Sequence, residues 1–530
     1  MSKGQAFLHK LFGTTPDDGN MQPKEAIAYS VTGIGQNFIC TIIGSYLTIF
    51  MTDALGFNIQ MNVGAVTGVM AVAFLMLGTR VFDALNDPIM GSLVDRTRTK
   101  WGKCRPYLKW MAIPIGIMTI VCFLPVYKAD KLSFGFLAAI YVLWSVIYTV
   151  ADVPYWGLST AMTNNTTIRG NLLTVARLAC TAGAGIVTVF VPIITSAVTK
   201  QYVFPEGTVN AAGVSISGTP IPELYTQYAQ TLRLTYFIVA VVLVVISMPM
   251  FFYGFKHTRE RYGATQNETP PTFKHNLGLL FKNKQLLLIV LSGVLGAARM
   301  VYTYTGGLYF CKYALGNEAA YSTLTLLVIP GGLIASVMVP WLTKKFGKKW
   351  TFIVTHIIGA LAMVLMFFMW DFETATFIKG GLAVSILCMI VLGVPQGISN
   401  IMTYAMIGDT VEYLEWKTGE RAEGICFAMQ TLINKMGMAV GAFIGVMAYS
   451  MSGISPANTD GSMTAAGLNR LWMMLVLSGV VSFIACVIPM LFYKITEKRQ
   501  GEMVKEIEER KVAKLAESGL AVTFPNEAIE

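Results

Sequence analysis

The most regular feature of the chain is a series of long apolar stretches separated by short polar links. A helix that crosses a bilayer needs about 20 mostly apolar residues, and these stretches reach that length. The stretches lie near residues 27–52, 62–90, 107–127, 134–161, 172–198, 232–255, 285–312, 321–343, 350–370, 378–406, 424–450 and 470–494. The pattern therefore predicts an all-α membrane protein with about twelve transmembrane helices.

The long polar link in the middle of the chain divides these stretches six and six. A Gly-Lys pair follows the second stretch of each set, at Gly102-Lys103 and at Gly347-Lys348, which is a weak sign of an internal repeat. Many secondary transporters are built from such repeats and hold their substrate between them near the middle of the membrane. The expected segments are a cytoplasmic N-terminus at 1–24, six-helix halves at 25–255 and 285–494, a cytoplasmic middle loop at 256–284 and a cytoplasmic tail at 495–530.

The basic residues of the links predict the orientation, because Lys and Arg concentrate in cytoplasmic loops. The link after the first stretch has no Lys or Arg, whereas the links after the second, sixth and eighth stretches are rich in both. The basic residues are Arg96, Arg98, Lys100, Lys103, Arg105 and Lys109, then Lys256, Arg259, Arg261, Lys274, Lys282 and Lys284, then Lys344, Lys345, Lys348 and Lys349. We expect a multi-pass protein of the cell membrane with both termini in the cytoplasm.

The composition excludes several classes of protein. Hydrophobic residues make up 54% of the 530 residues and charged residues 13%, against about 25% charged in a soluble domain. A soluble enzyme, a disordered chain and a nucleic-acid binder are therefore excluded, and the net charge of +10 is attributed to cytoplasmic links. The eight cysteines and four histidines are scattered, so neither a transition-metal site nor a cofactor is expected. No nucleophile–base constellation and no P-loop is seen, so we expect neither an enzyme nor an ATP-driven pump.

Two aspartates in the second stretch are the first candidates for function. Ionisable side chains inside a membrane are costly and usually mark a substrate or ion pathway. Asp83 and Asp87 are four residues apart, so both lie on one face of a helix, with Asn86 close by. Two close carboxylates suit a cation such as Na⁺, or they can hold a proton. The alternative is a structural pair in which Arg80 neutralises Asp83.

A second cluster has the composition of a sugar site. Asp152 and Trp156 share a face of the fourth predicted helix, and Thr149 lies one turn earlier. A carboxylate can accept hydrogen bonds from sugar hydroxyls while an aromatic ring packs on the sugar C–H face. Arg177 in the fifth stretch could clamp substrate oxygens or pair with Asp152. The alternative is a packing tryptophan beside a satisfied aspartate.

Two basic residues lie inside stretches of the second half. Lys435, with Thr431 one turn away, needs a carboxylate partner if it is to stay charged. A link from Lys435 to Asp83, Asp87 or Asp152 would bridge the two halves and could respond to ion and substrate together. Arg299 is equally compatible with a structural role.

Charges at the ends of two predicted helices could hold the cytoplasmic face closed. They are Asp95 and Arg96 after the second stretch, and Asp409, Glu412 and Arg421 after the tenth. Solvated loop charge is the alternative.

Two polar segments lie outside the predicted membrane spans. The link at 199–231 is unusually long, and we expect a flexible insertion, with a cap over the outer entrance as the alternative. The tail predicts a solvated helix with i, i+4 pairs such as Glu506–Arg510.

These residues also carry a family resemblance. Gly91-x3-Asp95-Arg96-x-Arg98-x-Lys100 resembles the loop signature of the major facilitator superfamily. The runs FDALNDPIMGSLVDRTRTKWGKCRPY, DVPYWGLS and GDTVEYLEW resemble the glycoside–pentoside–hexuronide:cation symporters. The resemblance extends from about Glu25 to Thr496, apart from the insertion at 199–231.

The resemblance implies roles for single residues. The positions of Asp83, Asp87, Asn86 and Thr149 would bind the coupling cation, and those of Asp152, Trp156 and Arg177 would contact the sugar. Lys435 would lie beside the ion site, and Thr431 near the sugar. The family's galactoside transporter has an aspartate at the position of Asn37 and a tryptophan at that of Asn400. These two amides therefore predict a different hydroxyl pattern, and a glucoside, a xyloside and a glucuronide all remain open.

The sequence thus predicts a monomeric, cation-coupled importer of a glycoside or related sugar that works by alternating access. Na⁺ is the expected coupling ion, with H⁺ and Li⁺ as alternatives, and the sugar, the cation and the lipid bilayer are the expected partners. The rival functions are a lipid or drug transporter on the same scaffold and a membrane sensor that does not transport.

Overall fold

The structure is a computed structural model in which most of the described residues are helical. It describes residues 9, 12, 14, 21–58, 61–97, 99–163, 166–261, 273–303, 305–420 and 423–517. The helices of the first part of the chain are α1 (Pro23–Ala54), α2 (Gly68–Arg96), α3 (Arg105–Cys122), α4 (Lys131–Met162), α5 (Thr166–Thr199) and α6 (Tyr225–His257). Those of the second part are α7 (Phe273–Lys282), α8 (Lys284–Leu295), α9 (Thr305–Tyr309), α10 (Ala320–Phe367), α11 (Gly381–Thr418), α12 (Glu423–Ser452), α13 (Thr459–Ser462), α14 (Ala465–Leu491) and α15 (Glu497–Glu517). The predicted all-α class is confirmed.

Short elements join these helices. Four 2-residue strands form two antiparallel hairpins, β1 (Asn62–Val63) with β2 (Val66–Thr67) and β3 (Trp370–Asp371) with β4 (Thr376–Phe377). Short 3₁₀ helices lie at Lys200–Tyr202, Pro222–Leu224 and Ala297–Thr303, and π-helical turns at Ile42–Tyr46, Phe50–Ala54 and Phe310–Ala314.

Within the described residues, nine helical segments are long and apolar enough to cross a membrane. Two of them come from α10, which turns sharply at Gly347, where φ is 77°. The stretches expected near 62–90, 107–127 and 285–312 are also helical but are not among the nine. Their membrane crossing, and with it the count of twelve, stays a prediction.

Local sequence signals fix where several helices begin. Asp130 precedes α4, and its Oδ1 accepts a hydrogen bond of 2.7 Å from the backbone N–H of Ser133. That bond holds the pKa of the exposed Asp130 carboxyl below its usual value. Thr464 caps α14 in the same way through Gly467 N–H, at 3.0 Å. Such caps satisfy backbone donors that the first turn of a helix leaves unpaired.

Glycines bring α10 and α11 into backbone contact. A Cβ at Gly393 would lie 2.1 Å from the carbonyl oxygen of Val328, and a Cβ at Gly397 would lie 2.1 Å from that of Gly332. Gly393 and Gly397 are four residues apart, so both lie on the face of α11 that meets α10. Small residues let two membrane helices pack this closely. Such packing holds helices together in lipid, where the hydrophobic effect does not drive their association.

At one end of the molecule the two Gly-Lys turns are built alike. Gly102 and Gly347 both have positive φ, and a carboxylate lies over each. Glu260, just after α6, accepts from the backbone N–H groups of residues 103, 104 and 105 at 2.7–2.8 Å. Glu497, at the start of α15, accepts from Lys348 N–H at 2.6 Å. We call this the basic end, defined by the links at 97–104 and 344–349.

The long insertion at 199–231 folds onto the second part of the chain, at what we call the insertion end. The Asn210 amide donates to the carbonyl oxygens of Asp460 and Met463 at 2.9 and 2.6 Å. Thr459 donates to the carbonyl oxygen of Pro220 at 2.5 Å. Gly218 packs so tightly against the Gly316 backbone that neither position has room for a Cβ. The insertion is therefore packed against the second part of the chain, and a cap over the outer entrance stays a prediction.

The tail helix α15 is only partly solvated, in contrast to the prediction. The predicted Glu506–Arg510 pair is present at 3.7 Å, but Met503 is 1% exposed. Trp416 of α11 donates from Nε1 to Glu506 at 2.5 Å, and Arg510 donates back to the Trp416 carbonyl oxygen at 2.7 Å. An apolar stripe among the charges therefore packs α15 against α11.

Candidate functional site

The predicted ion and sugar residues project from the middle of α2, α4 and α12. Asp83 and Asp87 lie on α2, Asp152 and Trp156 on α4, and Lys435 on α12. α2 and α4 belong to segment 25–255 and α12 to segment 285–494, so the site lies where the two segments meet.

An ion pair in the centre of the molecule joins the two segments directly. Lys435 Nζ lies 2.5 Å from Asp87 Oδ1 and 2.6 Å from Asp87 Oδ2, so the ammonium contacts both carboxylate oxygens. Lys435 is 8% exposed, and the Asp87 side chain is 16% exposed. Of the three carboxylates that the sequence offered to Lys435, the structure selects Asp87.

Asp83 has different partners although it lies one turn away on the same helix. Its Oδ2 is 3.4 Å from an Arg80 nitrogen, and its Oδ1 accepts from the Ser145 hydroxyl of α4. Asp83 is 2% exposed. The pairing that formed the structural alternative for Arg80 is therefore present, and Asp87 is the more accessible of the two carboxylates.

Among the described residues of α2 and α4, two buried polar side-chain atoms have no hydrogen-bond partner. They are the Asn86 Nδ2 atom and the Thr149 Oγ1 atom, on α2 and α4 respectively. Leaving a buried polar group unsatisfied costs roughly 1–3 kcal/mol. Many threonines of this chain donate their hydroxyl to a carbonyl oxygen of their own helix, but Thr149 does not. Its oxygen is therefore available to a bound cation or water. Na⁺ accepts oxygen ligands, which the Asp87 carboxylate and the Thr149 hydroxyl offer, whereas the Asn86 Nδ2 atom is a hydrogen-bond donor and does not coordinate a cation.

The face of α4 that carries Asp152 and Trp156, which we call the sugar-type face, is held by a side-chain amide that the sequence analysis missed. Gln36 of α1 donates from Nε2 to Asp152 Oδ1 at 2.5 Å and contacts the Tyr148 hydroxyl at 3.3 Å. Trp156 donates from Nε1 to the same Asp152 oxygen at 3.1 Å. Both donors converge on Oδ1 and fix the carboxylate, while Asp152 as a whole is 8% exposed.

Arg177 makes the second contact between the segments. Its guanidinium lies 4.2 Å from the centre of the Trp156 ring and 5.3 Å from that of the Tyr404 ring, and it donates to the Tyr404 hydroxyl. Asp152, which the sequence offered as a partner, is instead held by Gln36 and Trp156. Tyr404 lies one turn after Asn400 on α11, and this spacing was the available signal for it.

The second segment contributes a cavity lined by both polar and apolar side chains. Asn400 and Thr403 of α11, Gln430 and Asn434 of α12, and Arg299 line it. Asn400 accepts from Gln396 at 3.3 Å, and Asn434 accepts from Gln430 at 3.1 Å.

The other two predicted sugar contacts lie outside this cavity's lining. Asn37 donates to the Gly33 carbonyl oxygen of its own helix at 2.9 Å. Thr431 is half-buried one turn before Lys435.

Two of the predicted gate residues, Asp409 and Glu412, contact α10 and the tail. Asp409 accepts from Lys348 at 2.6 Å, joining α11 to α10, and Glu412 accepts from Gln500 of the tail at 2.8 Å. Arg421 lies outside the described residues, as do the side chains of Asp95 and Arg96. A gating role for these residues stays a prediction.

The insertion end carries a charged cluster that the sequence did not single out. Asp53, at the end of α1, accepts from Lys312 and, at 2.7 Å, from the Tyr313 hydroxyl. Thr52 and Tyr309 share a hydrogen bond of 2.7 Å beside them. Lys312 lies inside an apolar stretch, so the argument applied to Lys435 would have found it.

Comparison with known proteins identifies the family. A family model described as MFS/sugar transport protein matches residues 28–497. The chain belongs to this family. An isoprimeverose transporter of Lactiplantibacillus pentosus is 27% identical over 495 residues, which is 93% of this chain and 92% of that protein. A glucuronide carrier protein homolog of Escherichia coli K12 is 26% identical over 491 residues, covering 92% and 95% of the two chains.

Solved structures of transporters share the fold of this family member. A D-xylose–proton symporter superimposes with a TM-score of 0.54 at 12% identity, over 87% of this chain and 97% of that one. A nucleoside transporter, NupG, gives 0.53 at 14% identity over 89% and 100%. The family model confirms the predicted membership of the major facilitator superfamily, and the chain is a multi-pass membrane protein of a sugar-transporter family.

Proposed function

We propose that this protein imports a glycoside or related sugar together with a cation, Na⁺ in the first instance, by alternating access. The Lys435–Asp87 pair carries the proposal because it joins the two segments beside the Asp152–Trp156–Arg177 face. A cation that binds Asp87 must compete with Lys435, so ion binding and the contact between segments are one equilibrium.

The ion site consists of the Asp87 carboxylate with the Asn86 and Thr149 side chains, and Asp83 forms its inner boundary. When Na⁺ takes the Asp87 oxygens, Lys435 is released and the segments lose a tie. The Thr149 oxygen, which has no partner now, then gains a cation to coordinate. If Asp87 takes a proton instead, the same tie breaks, so H⁺ is the alternative coupling ion.

The sugar site lies next to the ion site. The Asp152 carboxylate accepts from sugar hydroxyls, the Trp156 ring packs on the C–H face, and Arg177 donates to ring or hydroxyl oxygens. Because Arg177 reaches Tyr404 across the segments, a sugar bound there contacts both segments at once. Each ligand then favours binding of the other by the same factor, as linkage requires.

Contacts at the insertion end support the proposal that the protein is closed at that end in this structure. The Asp53–Lys312 pair and the capping insertion tie the segments together there. With the basic end in the cytoplasm, in accord with the distribution of Lys and Arg, the closed side is the outer one. The ion gradient and the membrane potential would supply the free energy, the potential giving about 2.3 kcal/mol per charge per 100 mV.

The test is uptake of labelled glycosides into proteoliposomes, with Na⁺ and proton gradients imposed separately. We expect accumulation under one of the two gradients, carried by a broad panel that includes glucosides, xylosides and glucuronides. If no glycoside accumulates under either gradient while lipids or amphiphiles move, the proposal is wrong and the rival function on this scaffold replaces it.

A further inference from the structure

Two lysines at the basic end converge on one aromatic ring. The Nζ atoms of Lys100, in the link before α3, and of Lys109, on α3, lie 5.0 and 5.1 Å from the centre of the Trp101 ring. Lys109 also lies 5.5 Å from the Phe255 ring near the end of α6, and the Arg105 guanidinium lies 5.3 Å from that ring. The two rings meet edge-on with their centres 5.7 Å apart. We call these five residues the Trp101 cluster.

The positive charges of the Trp101 cluster are not matched by a carboxylate. Both side-chain oxygens of Glu260, which lies beside the link, accept hydrogen bonds from backbone N–H groups of residues 103–105. Within the part of the chain that the structure describes, Lys100 and Lys109 form neither an ion pair nor a hydrogen bond. The Nε atom of Arg105 is buried and has no hydrogen-bond partner either. Because contacts with aromatic rings do not neutralise these cations, the cluster favours a bound anion.

The Trp101 cluster lies at the level where a membrane-crossing helix ends. Phe255 is two residues before the end of α6, and α6 belongs to the helical segments that are long and apolar enough to cross a membrane. The helices α3 and α6 pack closely, since a Cβ at Gly116 would lie 2.8 Å from a Val244 methyl carbon. Aromatic rings and lysines at such helix ends are typical of the headgroup region of a bilayer.

An exposed apolar stripe runs along α3 away from the Trp101 cluster. Trp110, Ile113 and Ile117 are three and four residues apart, so they share one face of the helix, and all three are exposed. Lys109 directly precedes Trp110, so its ammonium group lies where the stripe ends. An acyl chain can therefore lie on the stripe while its headgroup reaches the lysines.

The second Gly-Lys turn lacks this convergence of charge, although both turns have the sequence pattern Lys-aromatic-Gly-Lys. Lys345 of the second turn lies 5.2 Å from the Trp341 ring, and no second cation lies over that ring among the described residues. The other two lysines of this turn, Lys348 and Lys349, donate to a carboxylate and to backbone carbonyl oxygens of the protein itself. The first turn is therefore the better site for an anion, and the second serves as its internal control.

We propose that the Trp101 cluster binds the headgroup phosphate of an anionic phospholipid. The Lys100 and Lys109 ammonium groups donate to the phosphate oxygens, and an acyl chain lies along the apolar stripe of α3. A lipid bound there contacts the link after α2, the start of α3 and the end of α6. A soluble anion would contact the same lysines but not the stripe, which is why a lipid is favoured over free phosphate.

The test measures the binding of lipids that differ only in their headgroups. Purified full-length protein in detergent is mixed with phosphatidylglycerol or with phosphatidylcholine of the same acyl chains, and the bound lipids are counted by native mass spectrometry. Each basic residue near an anionic lipid contributes about a fivefold gain in affinity, so the first phosphatidylglycerol should bind about 10- to 30-fold tighter than the first phosphatidylcholine. Phosphatidylglycerol should also raise the unfolding temperature more, because a ligand of the folded state stabilises it.

Paired variants assign the preference to the Trp101 cluster. Lys100→Gln/Lys109→Gln should bring the affinities for the two lipids to within about threefold of each other. Lys344→Gln/Lys345→Gln is the matched control, because it removes two exposed lysines from the same end and should keep the preference. Lys100→Arg/Lys109→Arg should keep it too, since arginine also donates to phosphate. Trp101→Leu retains both charges but removes the ring that positions them, so it should lower the preference in part.

Three results would overturn the inference. If phosphatidylcholine binds as tightly as phosphatidylglycerol, the cluster does not recognise an anionic headgroup. If the preference survives in Lys100→Gln/Lys109→Gln, the anionic lipid binds elsewhere. If inorganic phosphate at the same concentration raises the unfolding temperature as much as phosphatidylglycerol does, the lysines bind a soluble anion instead of a lipid.

Thermal unfolding without lipid shows which variants are folded. If the double glutamine variant is not folded, Lys109→Gln takes its place, with an expected loss of about fivefold in the preference. All of these measurements are made without sugar, so their outcome is independent of the proposed transport function.

Discussion

Two buried Lys–Asp pairs join the segments of this protein, and they differ in their surroundings. Lys312 and Asp53, at the insertion end, have side chains 2% and 0% exposed, and Tyr313 fills a remaining acceptor site of the carboxylate. Lys435 and Asp87, in the centre, have side chains 9% and 16% exposed, and the buried Thr149 hydroxyl of α4 has no hydrogen-bond partner. The first pair is satisfied and shielded, whereas the second can exchange its lysine for another cation.

The different surroundings suit the two Lys–Asp pairs to two different functions. A pair whose hydrogen bonds are complete holds one state of the protein, because breaking it leaves charges buried without partners. A pair that has an unpartnered polar group nearby can respond to a bound cation, because the cation replaces the contact that the carboxylate loses when the lysine leaves. We infer that the Asp53–Lys312 pair, called the outer pair below, holds the insertion end closed. The Asp87–Lys435 pair, the central pair, couples ion binding to the movement of the segments.

The largest expected effect is that of Asp87→Asn. The substitution keeps the shape of the side chain but removes the charge that both Lys435 and the coupling cation require. Gradient-driven accumulation of sugar in proteoliposomes should fall at least ~100-fold, whereas Asp460→Asn, at an exposed aspartate of the insertion end, should leave it unchanged. Near-normal accumulation in Asp87→Asn would remove Asp87 from the ion site.

The stability of the same variant sharpens this prediction. The neutral amide of Asp87→Asn leaves Lys435 buried without its partner, which costs roughly 3–5 kcal/mol for a buried pair. Adding Lys435→Met should restore the unfolding temperature but not the accumulation. Recovery of both would mean that the pair is only structural.

The next largest effect is expected at the outer pair. Lys312→Met leaves Asp53 uncompensated and weakens the closed insertion end, so uptake should fall about tenfold. Sugar affinity at equilibrium should stay within about threefold, because the site in the centre is unchanged. Lys379→Met, an exposed lysine at the same end, is the control for uptake. A loss of sugar binding as large as that of uptake would contradict the assignment of separate tasks.

A smaller effect is expected for Thr149→Val. The change removes a buried hydroxyl without a partner, so the free energy of unfolding should rise by about 1 kcal/mol. The half-saturating cation concentration in uptake assays should nevertheless rise about tenfold. Thr355→Val is matched to it, since that hydroxyl donates to the Thr351 carbonyl of its own helix. If Thr149→Val leaves the cation dependence unchanged, the hydroxyl is not an ion ligand.

The smallest effect is expected for Asn210→Ala. This amide anchors the insertion to the Asp460 and Met463 carbonyl oxygens, and each hydrogen bond contributes about 1 kcal/mol. Proteolysis of the insertion should become faster, while uptake changes by less than about twofold. Unchanged proteolysis would show that the insertion is held by its other contacts alone.

The central charges could be predicted from the sequence because buried charges require partners. That argument limited Lys435 to three carboxylates, and geometry selected Asp87 among them. It should also have found Lys312, but Asp53 stands at the end of an apolar stretch, where a charge needs no explanation. Neutral groups such as Gln36 and Tyr404 gave no signal of this kind, because amides and hydroxyls occur throughout membrane helices at modest cost.

The fold class and family followed from apolar length and from one specific run of residues, Asp83 to Gly91. The packing of the insertion and of the tail could not be predicted in this way. The insertion at 199–231 looks flexible by composition, and its contacts with Thr459, Asp460 and Met463 show that it is packed against the second part of the chain. The tail looks solvated by charge, yet a sparse apolar stripe is enough to dock it on α11.

The most direct test of the central claim is the affinity for sugar measured against cation concentration. In the wild-type protein, the sugar Kd should fall about tenfold as Na⁺, or H⁺ if that is the coupling ion, saturates its site. The cation Kd should fall by the same factor when sugar saturates, and Asp87→Asn should abolish both effects. A sugar affinity that does not change with either cation in the wild-type protein would contradict the coupling through Asp87 and Lys435.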